Sequence, residues 1–227
     1  MPDDKPHYHG HRSRLRKRLI EAGGGALADY EVLECLLFAG QPRGDVKPLA
    51  KALIERFGSL GAVLAADAER LGATPGMGEA AIAALKASEE AARRLAREEV
   101  VERPVLSSWD KVLGYCRTTL GRSEVEHFHL LFLDRKNRLI ADETQQRGTV
   151  DHTPVYPREV VKRALDLGAS ALILVHNHPS GDPTPSQADI AMTEEIVEAG
   201  RTLGIVVHDH IVISREGHAS FRSLGLL

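Results

Sequence analysis

In the first half of the chain, apolar residues recur at helical spacing and the apolar stretches are separated by glycine. The predicted helices cover about 12–22, 29–39 and 46–57, a short stretch from Leu60, and an alanine-rich stretch that runs to about Glu98. Gly23 to Gly25 follow the first helix and Gly40 follows the second, as glycine commonly does at a helix end. This half is therefore predicted to be all-α.

The second half changes to apolar runs of strand length that alternate with amphipathic helices. Strands are predicted at Glu126–Leu133, Arg138–Thr144, 171–176, Ile205–Ile213 and His218–Phe221, and helices at about 109–119, from Pro157 to Gly168 and at 187–203. The run from Ala171 to Val175 is apolar throughout, which indicates a strand buried on both faces. A mixed sheet flanked by helices is expected. The segment from Glu99 to Pro104 is the expected junction, so that the domains are 1–103 and 104–227.

His176 and His178 end the buried strand, and Asp189 lies in the first turn of the helix that Ser186 opens. Because side chains alternate along a strand, the two imidazoles point to one side, with alpha carbons ~6.6 Å apart. The loop between them and the helix is rich in Pro and Gly and can return the carboxylate to the histidines. Three protein ligands leave the fourth position of a zinc ion to water, which is the pattern of a catalytic site.

Each part of this motif also has an ordinary structural interpretation. Ser186 three residues before Asp189 is typical of a capping box, in which the helix dipole favours the carboxylate. A single histidine is more often a hydrogen-bonded residue than a metal ligand. The combination within one short segment favours the metal site over these alternatives.

The order His-x-His, seven residues, Ser-x-x-Asp resembles the JAMM (MPN) metallopeptidase domain, and the run from His176 to Pro183 is similar to the RadC branch of that family. The resemblance extends over nearly the whole chain. It implies an α+β fold, with an all-α helix-hairpin-helix-like domain followed by an α/β JAMM/MPN domain whose mixed sheet is flanked by helices in cytidine-deaminase-like layering. Asn177 departs from the peptidase pattern, because the deubiquitinating members usually carry Ser or Thr between the histidines.

The same resemblance implies one zinc ion per chain and a glutamate at the start of a strand that acts as general base. Glu126 occupies that place, and Glu124 and Glu143 are the alternatives. The hydroxyl of Ser186 would donate to the oxyanion of a tetrahedral intermediate. The neighbouring pair Asp209 and His210 either orients a metal ligand or is simply a polar couple beside an apolar strand.

The segment from Leu71 to Ala80 resembles a helix-hairpin-helix motif. In that motif Gly76 and Gly78 would let backbone N–H groups at a helix N-terminus approach a phosphate, so weak and non-specific contact with DNA is expected. The alternative is a tight turn between packed helices that contacts only protein. The basic run Arg12 to Arg18 has two interpretations in the same way, as a phosphate contact or as a solvated helix face.

Composition and charge narrow the classes of protein to which the chain can belong. The chain has 227 residues, of which 43% are hydrophobic, and its formal net charge of −3 excludes a strongly basic nucleic-acid module. No segment approaches the ~20 apolar residues that span a bilayer, and the N-terminus lacks the apolar run of a signal peptide, so a cytoplasmic location without a membrane partner is expected. The two cysteines, Cys35 and Cys116, make a disulfide framework improbable.

Two functions from different classes are consistent with these observations. The resemblance implies a zinc metallohydrolase that cleaves an amide or isopeptide bond of a protein or peptide with metal-activated water, in a DNA-associated or DNA-repair context. The alternative is a non-catalytic DNA- or protein-binding module whose zinc site is structural. A zinc nucleoside deaminase is disfavoured, because His-x-Glu and Pro-Cys-x-x-Cys are both missing from the sequence.

Overall fold

The computed structural model of the chain describes residues 10–101, 104–147 and 155–227. The N-terminal segment considered above, residues 1–9, lies outside this description. The chain forms two compact units, Met1–Ala91 and Ala92–Leu227. Within the described ranges, no helix combines the length and apolar character needed to cross a membrane.

The first unit is helical, as the spacing of apolar residues predicts. Its helices are α1 (His11–Ala22), α2 (Asp29–Gly40), α3 (Lys47–Phe57), α4 (Leu60–Ala65), α5 (Ala68–Gly72) and the first part of α6 (Glu79–Val101). The sequence does not predict α5, because five residues are too few to show a helical period. The end of α5, the turn that follows it and the start of α6 cover residues 71–80, the segment that resembles a helix-hairpin-helix motif.

The core of the first unit joins α2, α3, α5 and α6 around fully buried leucines, among them Leu33, Leu53 and Leu85. Close approach of α2 to α6 requires glycine at position 40. A Cβ atom at Gly40 would lie 2.4 Å from the Cα atom of Ala81. The backbones of the two helices are therefore in direct contact, and the glycine that marks a helix end in the sequence also sets this packing.

The boundary between the units falls inside α6, ahead of the junction expected at 99–104. Val100 is fully buried in a core cluster of the second unit, and Arg97 forms an ion pair with Asp142 of that unit. The last turns of the helix therefore pack as part of the second unit. Sequence composition indicates where α6 ends. The boundary between the two units depends instead on which side chains of α6 are buried in the core of each unit.

The second unit is built on a five-stranded mixed sheet. In addition to the end of α6 it contains α7 (Trp109–Leu120), β1 (His127–Leu133), β2 (Leu139–Arg147), α8 (Pro157–Asp166), β3 (Ala171–Asn177), α9 (Gln187–Thr202), β4 (Val206–Ile213) and β5 (His218–Ser220). The strand order is β2-β1-β3-β4-β5, and only β3 and β4 are parallel among these neighbours. The predicted mixed sheet flanked by helices is confirmed, and the chain is an α+β protein.

Helices cover both faces of this sheet. On one face, α7 packs against alternate residues of the central strands, such as Leu131, Ile173 and Ile211. On the other face, α8 and α9 pack against the residues between them, such as Leu130 and Leu174. Every residue of β3 is buried because helices cover both faces of the strand, and this burial explains its unbroken apolar sequence.

The two cysteines are free thiols, in line with the expectation of no disulfide framework. Cys116 is buried in the core of the second unit, and this burial raises the pKa of its thiol to about 12. A thiol with so high a pKa is not a nucleophile at neutral pH.

A buried carboxylate, Asp142 of β2, links the end of α6, α7 and β1. It accepts hydrogen bonds from the Tyr115 hydroxyl and from Nε of Arg97, the latter at 2.7 Å, while Nε2 of His129 lies 3.8 Å from its Oδ2. Burial raises the pKa of Asp142, but its three polar neighbours outweigh that effect and hold the pKa well below its usual value. The ionised form is therefore the one that the fold stabilises.

We expect Asp142→Asn to lower the free energy of unfolding of the second unit by about 2 kcal/mol at neutral pH, because the buried amide lacks the charge that the Arg97 guanidinium and the Tyr115 hydroxyl bind. The folded pKa of Asp142 is depressed, so its stabilising contribution is present above the unfolded pKa of ~3.9 and is lost as pH falls below it. The difference between wild type and variant should therefore shrink in acid. Urea unfolding followed by fluorescence of Trp109, the single tryptophan, measures this.

The matched control is Glu198→Gln, which breaks an exposed ion pair with Arg201 in the same unit. It should leave the free energy of unfolding close to that of wild type, because both side chains are exposed to solvent. An Asp142→Asn protein whose stability tracks that of wild type at every pH would contradict the assigned role.

Candidate metal centre

The motif around His176 lies where β3 ends and α9 begins. His176 is 1% exposed, His178 and Asp189 are half-buried, and Ser186 at the start of α9 is exposed. The connecting loop turns back through Gly181, whose φ of +100° is the left-handed conformation that glycine adopts readily. The site is therefore buried on the side of His176 and open to solvent on the side of Ser186.

The side chains of His176, His178 and Asp189 converge in the structure. Nε2 of His176 lies 2.9 Å from Nε2 of His178 and 3.4 Å from Oδ1 of Asp189, and Nε2 of His178 lies 3.5 Å from Oδ2 of Asp189. Within the described ranges, this is the one group of three His, Cys, Asp or Glu side chains whose ligand atoms are close enough to share a metal ion. These are the three residues that the sequence predicts as ligands.

The protonation of His176 follows from a directed chain of hydrogen bonds behind it. Thr193 donates its hydroxyl proton to the backbone oxygen of Asp189 at 2.5 Å, so it can only accept from Nδ1 of His210 at 2.6 Å. Burial holds the pKa of His210 well below its usual value, so this imidazole is neutral and its Nε2 is an acceptor. Nδ1 of His176 therefore donates to that nitrogen at 2.8 Å, and Nε2 of His176 carries a free lone pair.

His178 is oriented in the same way by the loop. Its Nδ1 donates to the backbone oxygen of Asp182 at 2.9 Å, which leaves Nε2 to face the other two ligand atoms. The carboxylate of Asp189 raises the pKa of His178, and the more distant charge of Glu126 adds to this effect. Without a cation, two imidazole lone pairs and a carboxylate face one another, an arrangement that a bound metal ion satisfies.

Asp189 serves the helix and the site together. Its Oδ2 accepts from the backbone N–H of Ser186 at 2.7 Å and from the Ser186 hydroxyl at 2.6 Å, and Ser186 in turn caps the backbone N–H of Asp189. Burial raises the pKa of Asp189, but the neighbouring His176 and His178 and the Ser186 hydroxyl outweigh this effect and hold the pKa well below its usual value, so the carboxyl group stays ionised. The capping box and the ligand set, which the sequence offered as alternatives, are present in the same residues.

The three candidate bases have different surroundings. Arg163 binds both carboxylate oxygens of Glu143, at 2.8 and 2.5 Å, and lowers the pKa of that group. Glu124 is exposed and lies 3.8 Å from the guanidinium group of Arg215. Glu126 is half-buried immediately before β1, and its charge acts on His178. Of the three, Glu126 is the one whose charge acts on a residue of the site.

Asp209 and His210, which are neighbours in β4, have different roles. His210 supports His176, as described above. Asp209 is buried but points elsewhere: it accepts from the Ser220 hydroxyl at 2.5 Å and from the backbone N–H of Arg222 at 3.0 Å, which fixes the turn after β5. Sequence reasoning did not identify Thr193, although its position four residues after Asp189 places both on one face of α9.

The fold and the site together define a class of protein, a JAB (MPN) type domain with a His-His-Asp group that could hold a metal ion, preceded by a helical unit. Comparison with known families agrees with this class. Residues 106–226 match the RadC-like JAB domain, and residues 9–83 match the UPF0758 N-terminal domain.

A UPF0758 protein of Rhodobacter capsulatus is 62% identical over 213 residues, which cover 94% of this chain and the full length of the relative. The chain belongs to the RadC-like JAB domain family.

We expect purified protein to bind one divalent metal ion per chain, and His176→Ala or Asp189→Ala to lose it, because each change removes one of three donors. Metal content measured on protein purified without a histidine tag tests this. Asp182→Ala is the control, since its backbone oxygen, and not its carboxylate, contacts His178. Full metal occupancy in both ligand variants would contradict the site.

His210→Phe should keep an aromatic ring in contact with Phe128 and Phe221 but remove the acceptor for His176. We expect metal affinity to fall ~10–100-fold, the usual effect of losing an outer hydrogen-bond partner. Competition with a chromophoric chelator measures the change. His208→Phe, on the same strand but bonded to Asn137, should leave the affinity unchanged.

Proposed function

We propose that this protein is a zinc-dependent hydrolase of amide or isopeptide bonds in a protein or peptide substrate. The observation that carries the proposal is the convergence of two Nε2 atoms and one carboxylate beside an open, solvent-facing side. Structural zinc sites are closed by four protein ligands, whereas three ligands and an open position are the arrangement used for catalysis. Membership of the RadC-like JAB domain family supports this class of chemistry.

The donor set suits zinc in its chemistry. Two neutral imidazoles and one carboxylate are typical ligands of this ion, and both histidines have the tautomer that ligation needs. When bound, zinc supplies Lewis-acid chemistry and makes water acidic near neutral pH. The residues of the chain then have to hold the ion, accept a proton and stabilise the developing negative charge.

In this proposal Glu126 accepts the proton from water and returns it to the leaving amine. The Ser186 hydroxyl stabilises the oxyanion. Its proton points to Asp189 in the structure, so donation to a substrate requires the hydroxyl to rotate. Because Ser186 is exposed at the open side of the site, such a rotation meets no packed core.

Glu126→Gln should retain zinc and the fold but lower turnover of an amide substrate by ~10²–10⁴-fold, because the amide cannot accept the proton. Turnover of a peptide library with and without a chelator, alongside zinc content, provides the measurement. Glu143→Gln and Glu124→Gln are the matched controls and should retain at least most of the activity.

Three outcomes separate the possibilities. Wild-type turnover in Glu126→Gln would contradict the assignment, and loss of activity in Glu143→Gln alone would move the base to that residue. Equal inertness of wild type and all variants, with melting temperature falling on removal of zinc, would support the alternative, a binding module with a structural zinc site.

A second candidate, weak and sequence-independent DNA contact by the first unit, has one specific observation in its favour. At the turn before α6 a Cβ atom on Gly78 would meet nothing within 4 Å, so the helix N-terminus is accessible to a phosphate. Arg56 donates to the Thr74 hydroxyl at 2.6 Å and adds positive charge beside this turn. Glu79 in the first turn of α6 opposes it. These features support a DNA-associated role, such as repair, only at low affinity.

Some of the basic side chains of α1 make contacts within the first unit. Arg12 donates to the backbone oxygen of Gly44 and lies over the ring of Phe38, and Arg18 forms an ion pair with Glu31. Leu15 of the same helix is buried. These contacts favour the interpretation of this run as a helix face with intramolecular partners over that of a dedicated phosphate site.

If the full-length protein binds duplex DNA through the turn at 74–78, Gly78→Val should reduce affinity and Glu79→Gln should increase it, and affinity should fall steeply with salt. Gly78→Val adds its side chain to open space, so the fold should tolerate it. Gly24→Val, also in open space of the first unit, is the control. Fluorescence anisotropy at low and moderate salt provides the measurement, and identical affinities for all four proteins would exclude this contact.

A further inference from the structure

The residue between the two metal-binding histidines, Asn177, points away from them. Its side chain is 1% exposed and lies against the segment that leads into β1. Oδ1 accepts from the backbone N–H of His127 at 2.9 Å, and Nδ2 donates to the backbone oxygens of Val125 at 3.0 Å and Ser123 at 3.4 Å. The backbone groups on both sides of Glu126 are thus bound by one side chain.

This contact continues the sheet by one position. Phe128 of β1 pairs with His176 of β3, and that pair ends the antiparallel ladder. Beyond it, the side-chain amide of Asn177 takes the place of the next backbone pair, donating and accepting as a strand would. Glu126 stands one residue further out, where no ladder pair fixes the backbone. The amide therefore helps to fix the backbone from which the Glu126 carboxylate extends.

The amide can adopt only one orientation here. The N–H of His127 is a donor and the backbone oxygens of Val125 and Ser123 are acceptors, so exchange of the amide oxygen and nitrogen would leave every contact mismatched. Aspartate has the same shape but no donor, and its charge would face two carbonyl oxygens. Alanine would remove the contact without repulsion. Asparagine is thus suited to bridging these groups.

We propose that Asn177 is a positioning residue that holds Glu126 at the working distance from the ligands on the opposite side of the same strand end. The inference rests on the proposed function, in which Glu126 is the base. It assigns to Asn177 the alignment of the base with the site: one face of β3 supplies the two imidazoles, and the residue between them fixes the glutamate.

The test compares Asn177→Ala and Asn177→Asp with wild type in the full-length protein loaded with zinc. We expect unchanged zinc content, unchanged KM, and a kcat lowered by ~10–100-fold, since a displacement of about 1 Å can cost ~10²-fold. Tyr115→Phe is the control for general loss of stability, because it removes a buried hydrogen bond to Asp142 on another part of the sheet.

Two further measurements do not depend on activity. Hydrogen exchange at the His127 amide should be faster in both Asn177 variants than in wild type and Tyr115→Phe. Crystal structures should show the Glu126 carboxylate displaced in the variants. If wild type hydrolyses nothing, the proposed hydrolase fails while these two measurements still decide whether Asn177 positions Glu126. Unchanged exchange and an unmoved carboxylate in Asn177→Ala would overturn the inference, as would loss of zinc with Glu126 in place.

Discussion

A buried neutral imidazole needs a defined proton on one nitrogen and a defined acceptor for it, and this requirement links β3, β4 and α9 at the candidate metal centre. His176 cannot present a lone pair to a metal ion unless His210 accepts from its other nitrogen, and His210 can accept only because Thr193 receives its own proton. The hydroxyl proton of Thr193 in turn is fixed by the backbone of α9. Three elements that are distant in sequence therefore specify one tautomer.

The topology of the sheet brings those elements together. Since β3 and β4 are the parallel pair, the chain has to cross between them, and α9 is that crossover. Its N-terminus therefore returns to the end of β3 where the histidines lie. The antiparallel pairing of β1 with β3 brings the beginning of β1, and Glu126 with it, to the same end. Strand direction thus brings Glu126 and the two histidines to one end of the sheet.

Local patterns in the sequence predict what depends on neighbouring residues. Each helix of the first unit and each strand of the second follows from the spacing of apolar residues within its own segment. The proximity of His176, His178 and Asp189 follows in the same way from their spacing along the chain. Features that depend on the register between distant elements do not follow from such local patterns. Whether His210 or Asp209 faces His176 depends on which side of β4 each occupies, and the contribution of Thr193 depends on the angle at which α9 lies. The unit boundary inside α6 is of the same kind, because two different cores divide one uninterrupted helix.

The double use of Asp189 has a consequence for how an ion enters and leaves. Its carboxylate caps α9 through Ser186 independently of any metal, and Nδ1 of each histidine is held by the protein rather than by the ion. Little conformational entropy then remains to be lost on loading, and little structure is released on stripping. In contrast to a zinc finger, whose chain folds around its ion, this candidate centre is preorganised, and the contacts that position its three side chains do not require an ion.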